Sequence, residues 1–268
     1  MMTYWLALGW WAARWICHIG VIQYIEENHI QIWEIAGTSM GAIIASCYAI
    51  WMTSHEMQST LESINFLKLI DINLKEWIVS WEKVYKELKR IFWEKKIEEA
   101  KIPLKIIATN IESGEKEVFT NGKIVDALRA SISLPMIFTA YKQEGKLYVD
   151  GGLKANLPIL ELDSQNIIAV SAIRTKDTKI RTHKKLWNFE FKKGFWEYNY
   201  QILRNTIALI MMTNEDFSLS IAKKQWKKII FLTPVITKFE YYDFHKSIEI
   251  IKTGYKEAKN NFPHLWEK

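Results

Sequence analysis

The stretch Ile32 to Cys47, IWEIAGTSMGAIIASC, constrains this chain more than any other part of it. A short apolar run, Ile32 to Ala36, leads into Gly37-Thr38-Ser39-Met40-Gly41, and good helix formers follow. The Gly-x-Ser-x-Gly pentapeptide therefore sits at a strand-to-helix turn, the setting of a nucleophile elbow. Gly37 and Gly41 are expected where a Cβ would collide with the neighbouring strand and helix. Ser39 is expected in a strained conformation that lifts its hydroxyl clear of the sheet, at the start of a helix whose unpaired N–H groups favour a developing anion.

Around this turn the pattern alternates between short apolar runs and amphipathic stretches. Strands are expected at Tyr4–Leu8, Ile102–Asn110, Lys146–Val149, Asn166–Ala172 and Lys228–Leu232, with Glu117–Phe119 folding back on the second of these across Ser113-Gly114. Helices are expected over about 16–28, 40–50, 82–92, 124–131, 195–212, 215–224 and 247–260, and one capped by Thr53 or Ser54 with Glu56 near its start runs to Leu61. Leu67 to Val79 reads as irregular. There is no internal repeat, low-complexity segment or long Pro/Gly/Ser linker. Strands and helices alternating at this spacing predict one α/β domain over residues 1–268, with a mostly parallel sheet covered on both faces. Motifs concentrate in about 4–160, and 174–268 completes the same domain.

At 268 residues the chain can bury one substantial core. No apolar run reaches the roughly 18 residues of a membrane span. MMTYWLALGWWAARW lacks a basic leader and runs straight into motif-bearing sequence, so it reads as a first strand and its loop. Cys17 and Cys47 lie in apolar helical patterns and are expected as reduced core residues, which suits a cytoplasmic location. The net charge of +6 is uneven: Arg174 to Lys268 holds 19 Lys/Arg against 10 Asp/Glu. A solvated basic face explains this most simply; otherwise it suits peripheral contact with an anionic membrane surface. No nucleic acid is expected as a partner.

A nucleophilic serine needs a base. Six histidines are present, and of these His245 and His264 lie where a triad in the chain order Ser, Asp, His would want one, but neither has a helpful neighbourhood. Asp150 fits better. It ends a strand, so it is expected at the rim of the sheet where ligands bind, and Gly151 and Gly152 let the backbone turn tightly against a partner. A carboxylate takes the serine proton directly if burial raises its pKa toward neutrality.

These motifs together resemble the patatin-like phospholipase family: a glycine-rich loop after the first strand ending in Arg (Gly9 to Arg14), Gly-x-Ser-x-Gly, then Asp150-Gly151-Gly152. The resemblance continues in His18-Ile19-Gly20-Val21, Ile102-Pro103-Leu104, Ala130 to Pro135, Asp150 to Pro158 and Phe244 to Tyr255, and so spans nearly the whole chain. It implies a three-layer α/β/α fold and a Ser39–Asp150 dyad, with Ser39 as nucleophile and Asp150 as base. It also implies an oxyanion hole built on Gly9, Trp10, Trp11 and Ala12, and Arg14 bracing that loop or meeting a phosphate head group. The implied activity is hydrolysis of lipid acyl esters without a metal or other cofactor.

One departure stands out. Where relatives would read Gly-Gly-Gly-x-Ala-Arg-Gly, this chain has Gly9-Trp10-Trp11-Ala12-Ala13-Arg14-Trp15. Backbone N–H groups must approach the oxyanion closely, and losing one such donor costs about 10² to 10³ in rate. The chain holds 13 Trp against 11 Gly, whereas average usage of about 7% would give roughly 19 Gly. Trp5, Trp15, Trp51, Trp77 and Trp81 also fall where relatives tend to carry glycine, and Trp93 stands at a helix boundary. If the 13 Trp are UGA codons that the source reads as glycine, the loop becomes Gly-Gly-Gly-Ala-Ala-Arg-Gly. If they are genuine, the alternative is a non-catalytic lipid-binding or regulatory protein. An α/β-hydrolase with a full triad is disfavoured because only 38 residues precede the serine.

Overall fold

The computed structural model describes residues 3–10, 12–64, 81–135, 137–174, 195–236, 239 and 243–262. Strands β1 (Thr3–Leu8), β2 (Gln31–Thr38), β3 (Leu104–Asn110), β4 (Lys116–Phe119), β5 (Tyr141–Gln143), β6 (Lys146–Asp150), β7 (Asn166–Val170) and β8 (Lys228–Leu232) form one eight-stranded sheet in the order β5-β6-β3-β2-β1-β7-β8, with β4 also paired to β3. Pairing is parallel from β3 through β2, β1 and β7 to β8. It turns antiparallel where β4 and β6 join β3 and where β5 joins β6.

The helices are α1 (Cys17–Glu27), α2 (Met40–Ala49), α3 (Ser54–Ser63), α4 (Trp81–Phe92), α5 (Ile124–Ser131), α6 (Gly152–Ala155), α7 (Phe195–Lys224) and α8 (Ser247–Asn261). The central strands are buried on both faces, which is why they read as continuous apolar runs. On one face Leu6, Leu8, Ile35, Ile106, Ile168 and Val170 join the core cluster that includes residues of α1, α2, α5 and α8. On the other, Ala7, Ala36 and Ala169 lie side by side across three strands, and these small residues give Leu157, Ile159 and Leu162 room to pack close, with Ala222 of α7 beside them. The three-layer α/β/α arrangement is thus present, with a sheet that is parallel at its centre and antiparallel along one side.

Local expectations hold in several places. Thr53 caps α3 in a reciprocal capping box with Glu56. The β3–β4 hairpin turns through Gly114 at φ 71°, with the Asn110 side chain accepting from Glu112 and Ser113 N–H. Cys17 and Cys47 are buried and free.

One expectation needs correction and one is refined. The helices expected over 195–212 and 215–224 are one 30-residue helix, because Glu215 turns into the core and Asn214 donates to the Leu153 carbonyl, so neither residue is used as a cap. Asp150 does end its strand level with the C-terminal end of β2, since it lies opposite Ala108 and Thr38 pairs with the adjacent Ile107, but β6 reaches that rim running against β3 and not parallel to it. The reading of 67–79 as irregular falls outside the described residues. Among the described residues, no helix is long and apolar enough to cross a membrane.

Candidate functional site

Ser39 follows directly on β2 and forms the N-cap of α2, with φ 54° and ψ −127°, a region that a side-chain-bearing residue enters only under constraint. The constraint is visible on every side. Ser39 N–H donates to Ser131 Oγ at 2.7 Å, and Ser131 O–H donates in turn to the Ile107 carbonyl at 2.6 Å. Thr38 O–H donates to the Ala155 carbonyl at 2.7 Å. A Cβ on Gly37 would lie 2.6 Å from Ala42 Cα, and one on Gly41 would lie 2.5 Å from the Leu8 carbonyl oxygen, so both glycines are required by backbone that cannot swing aside.

The acid arrives across β3. Asp150 Oδ2 accepts from Ser39 Oγ–H at 2.5 Å, and Oδ1 accepts from Gly152 N–H at 2.8 Å. The turn after it is crowded: a Cβ on Gly151 would come within 2.1 Å of the Ile107 carbonyl oxygen. Asp150 is fully buried, and that loss of water pushes its pKa up to about 7, against the opposing pull of the Ser39 and Gly152 hydrogen bonds. The structure therefore holds an alcohol and a carboxylate in direct contact, with the acid tuned to take a proton near neutrality.

The loop after β1 is pinned at its start. Gly9 N–H donates to the Val170 carbonyl at 3.0 Å, the Gly9 carbonyl accepts from His18 Nε2 at 2.7 Å, and Trp10 N–H donates to Asn156 Oδ1 at 3.4 Å. Trp10, one of the amides expected to face an oxyanion, thus has a partner in the protein. Trp11 lies outside the described residues, and Ala12 opens a 3-10 turn through Ile16. Arg14 donates through Nε and Nη2 to the Phe239 carbonyl, each at 3.2 Å.

Sequence reasoning missed several supports. Ser131, Asn156 and His18 lie within the motif stretches without a role that the sequence assigns, and Glu215 reads in sequence as the start of a helix. Of the two histidines weighed as bases, His245 is exposed and lies 3.8 Å from Asp243, and His264 is outside the described residues. Among the described residues no group of His, Cys, Asp and Glu is placed to hold a metal ion.

A three-layer α/β/α fold with a serine at a strained strand-to-helix turn, hydrogen-bonded to a buried carboxylate, defines a class of α/β proteins built around a nucleophile elbow. The chain belongs to one family within it: the family model described as patatin-like phospholipase matches residues 12–163, more than half of the chain. It is 33% identical over 172 residues to an uncharacterised NTE family protein of Mycobacterium tuberculosis, covering 62% of this chain and 48% of that protein. It is 26% identical over 270 residues to lysophospholipase NTE1 of Saccharomyces cerevisiae, covering 93% of this chain and 16% of that protein. The chain therefore spans less than half the length of these curated relatives. Among solved structures, VipD from Legionella pneumophila shares the fold, with a TM-score of 0.55 at 14% identity, over 97% of this chain and 66% of that one.

Proposed function

We propose that the chain is a serine acyl-ester hydrolase acting on lipid acyl esters through a Ser39–Asp150 dyad. The observation that carries this reading is the 2.5 Å hydrogen bond from Ser39 Oγ to Asp150 Oδ2, inside a fully buried pair. Asp150 Oδ2 takes the Ser39 proton as Oγ attacks the ester carbonyl carbon. The remaining loop amides up to Ala12 and the first turn of α2 stabilise the resulting oxyanion, since the Gly9 and Trp10 amides are engaged by Val170 and Asn156. Collapse breaks the bond to the alcohol, which leaves with the proton from Asp150, and Ser39 is left acylated. Water then attacks the acyl carbon and gives its proton to Asp150. The second collapse releases the carboxylic acid and returns the proton to Ser39. The chain acts as one domain, without a metal, and meets its lipid at the membrane surface from the aqueous side.

A fluorophosphonate probe tests the assignment, since it reacts only with an activated serine. The probe is expected to label the wild-type protein at Ser39, read by peptide mass spectrometry, and to leave Ser39→Ala unlabelled. Wild-type protein that resists the probe sinks the enzyme reading and favours a lipid-binding protein in which the loop indoles fill the oxyanion site.

A further inference from the structure

We propose that His18 and the Asn156–Glu215 pair are positioning residues that lock the Gly9–Trp10 peptide against the Ser39 elbow. This rests on the reading of Ser39 as nucleophile. The peptide is gripped from both sides, by His18 at its carbonyl and Asn156 at its N–H. Its place matters to the elbow, because a Cβ on Gly41 would lie 2.7 Å from the Gly9 carbonyl oxygen. Both grips are oriented by chemistry. A carbonyl only accepts, so fully buried His18 presents Nε2–H to Gly9, while Nδ1 has no partner among the described residues and burial holds the ring neutral, with its pKa lowered to about 4. Asn156 would fit either way round by shape alone. Glu215, fully buried, accepts from Asn156 Nδ2 at 2.7 Å, Ser171 Oγ at 2.8 Å and Arg174 Nε at 3.2 Å, and this turns the Asn156 carbonyl toward residue 10.

Exchanging the polarity of the pair tests this. Asn156→Asp sets two carboxylates face to face, and kcat on a short-chain nitrophenyl ester is expected to fall about 10- to 100-fold with KM little changed, as for a misplaced catalytic group. Adding Glu215→Gln lets the new amide donate to the new carboxylate, and most of kcat should return. Wild-type kcat in Asn156→Asp, or no recovery in the folded double variant, overturns the proposal. Should Asn156→Asp fail to fold, Glu215→Gln alone is expected to flip the Asn156 amide and lower kcat, and unchanged turnover there overturns it equally. Hydrolysis that survives Ser39→Ala would instead overturn the reading of the nucleophile.

A separate set of observations concerns the tryptophans. We infer that the native protein carries glycine where this chain reads Trp. Among the described residues six non-glycine positions have positive φ, and three of them are Trp51 (65°), Trp93 (50°) and Trp226 (58°). Each stands just past the end of a helix. Met52 N–H reaches back to the Cys47 carbonyl and Trp51 N–H to that of Tyr48; Lys227 and Trp226 repeat the pattern on Ala222 and Lys223; Trp93 N–H bonds to the Lys89 carbonyl. These are left-handed C-caps, which glycine fills without strain. The indoles gain nothing in return, being 70%, 71% and 88% exposed. Trp33 is the extra residue where β2 shifts register against β1, and it is 58% exposed, again a glycine position. Substitution at all 13 sites would give 24 Gly.

Peptide mass spectrometry of the protein from its source cells is expected to find glycine at 51, 93 and 226 and no Trp elsewhere. Trp at those three positions overturns the inference. In the chain as written, Trp51→Gly, Trp93→Gly and Trp226→Gly are each expected to raise Tm by about 2–4 °C, and a fall in Tm at all three would count against it.

Discussion

Asp150→Asn is expected to remove esterase activity, by about 10³-fold or more, while making the folded protein more stable above neutral pH. The loss follows because an amide cannot take the Ser39 proton, yet it still fits the site. Its carbonyl can accept from Gly152 N–H, and its NH₂ can donate to Ser39 Oγ. The gain follows from linkage. Burial raises the Asp150 pKa from the ordinary 3.8 to about 7. Its contribution to stability is therefore fully present below about pH 4 and is lost as pH rises through about 7, when a buried carboxylate must ionise. The cost of that ionisation, on the order of 2–4 kcal/mol at pH 8, disappears in the variant. Glu215, fully buried and also raised to about 7, adds a decline of the same sign that the variant keeps. Urea unfolding at pH 5 and pH 8 should show a smaller drop between the two for Asp150→Asn than for wild type. Wild-type activity itself should fall below about pH 7 as the base is protonated. Turnover by Asp150→Asn within tenfold of wild type would remove Asp150 from the mechanism.

Gly254→Ala is expected to destabilise the protein by about 3 kcal/mol or more, although the substitution favours helix. Helices α1 and α8 cross with their backbones nearly touching. A Cβ on Gly254 would fall 1.8 Å from the Cys17 carbonyl oxygen, and one on Gly20 would fall 1.9 Å from that of Ile251. Overlap with a flexible side chain is relieved by a rotamer change. Overlap with backbone is relieved only by parting the helices, which opens the packing around Ile16, Ile19 and Ile251. Alanine returns about 1 kcal/mol of helix propensity, too little to offset that. A fall in Tm of roughly 6–12 °C is the expected reading. An unchanged Tm would mean that the two helices do not approach as closely as described. Gly20→Ala provides the same test from the other side of the crossing.

How much of this was legible in the sequence depends on whether a residue's role was local. The elbow was, because Gly37, Ser39 and Gly41 fix a turn within five residues and each glycine is demanded by backbone beside it. Asp150 was legible as a strand end followed by two glycines. The direction of its strand was not, since Lys146 to Asp150 reads alike whether it runs with or against β3. The short strand β5 was also missed, as three residues carry too little periodicity to register. Glu215 was misread for a physical reason: acidic residues open helices, and only the fold shows that this one faces Asn156, Ser171 and Arg174 instead of its own backbone. His18 and Ser131 likewise acquire meaning only from partners remote in sequence or set by a loop's path, Gly9 for one and Ser39 and Ile107 for the other.

Thr38 pairs with Ile107, and Asp150 with Ala108, so the serine and its acid come from strands on opposite sides of β3. Strands β2 and β6 are thus two strand spacings apart, roughly 9–10 Å, a ruler built from main-chain hydrogen bonds alone. Side-chain drift in the outer helices can leave that ruler untouched. Sliding β3 along either neighbour by a single residue would turn its side chains to the opposite face and leave the two oxygens out of step. Lineages carrying this pair are therefore free to diverge in their covering layers, while insertions or deletions within these three strands should be purged.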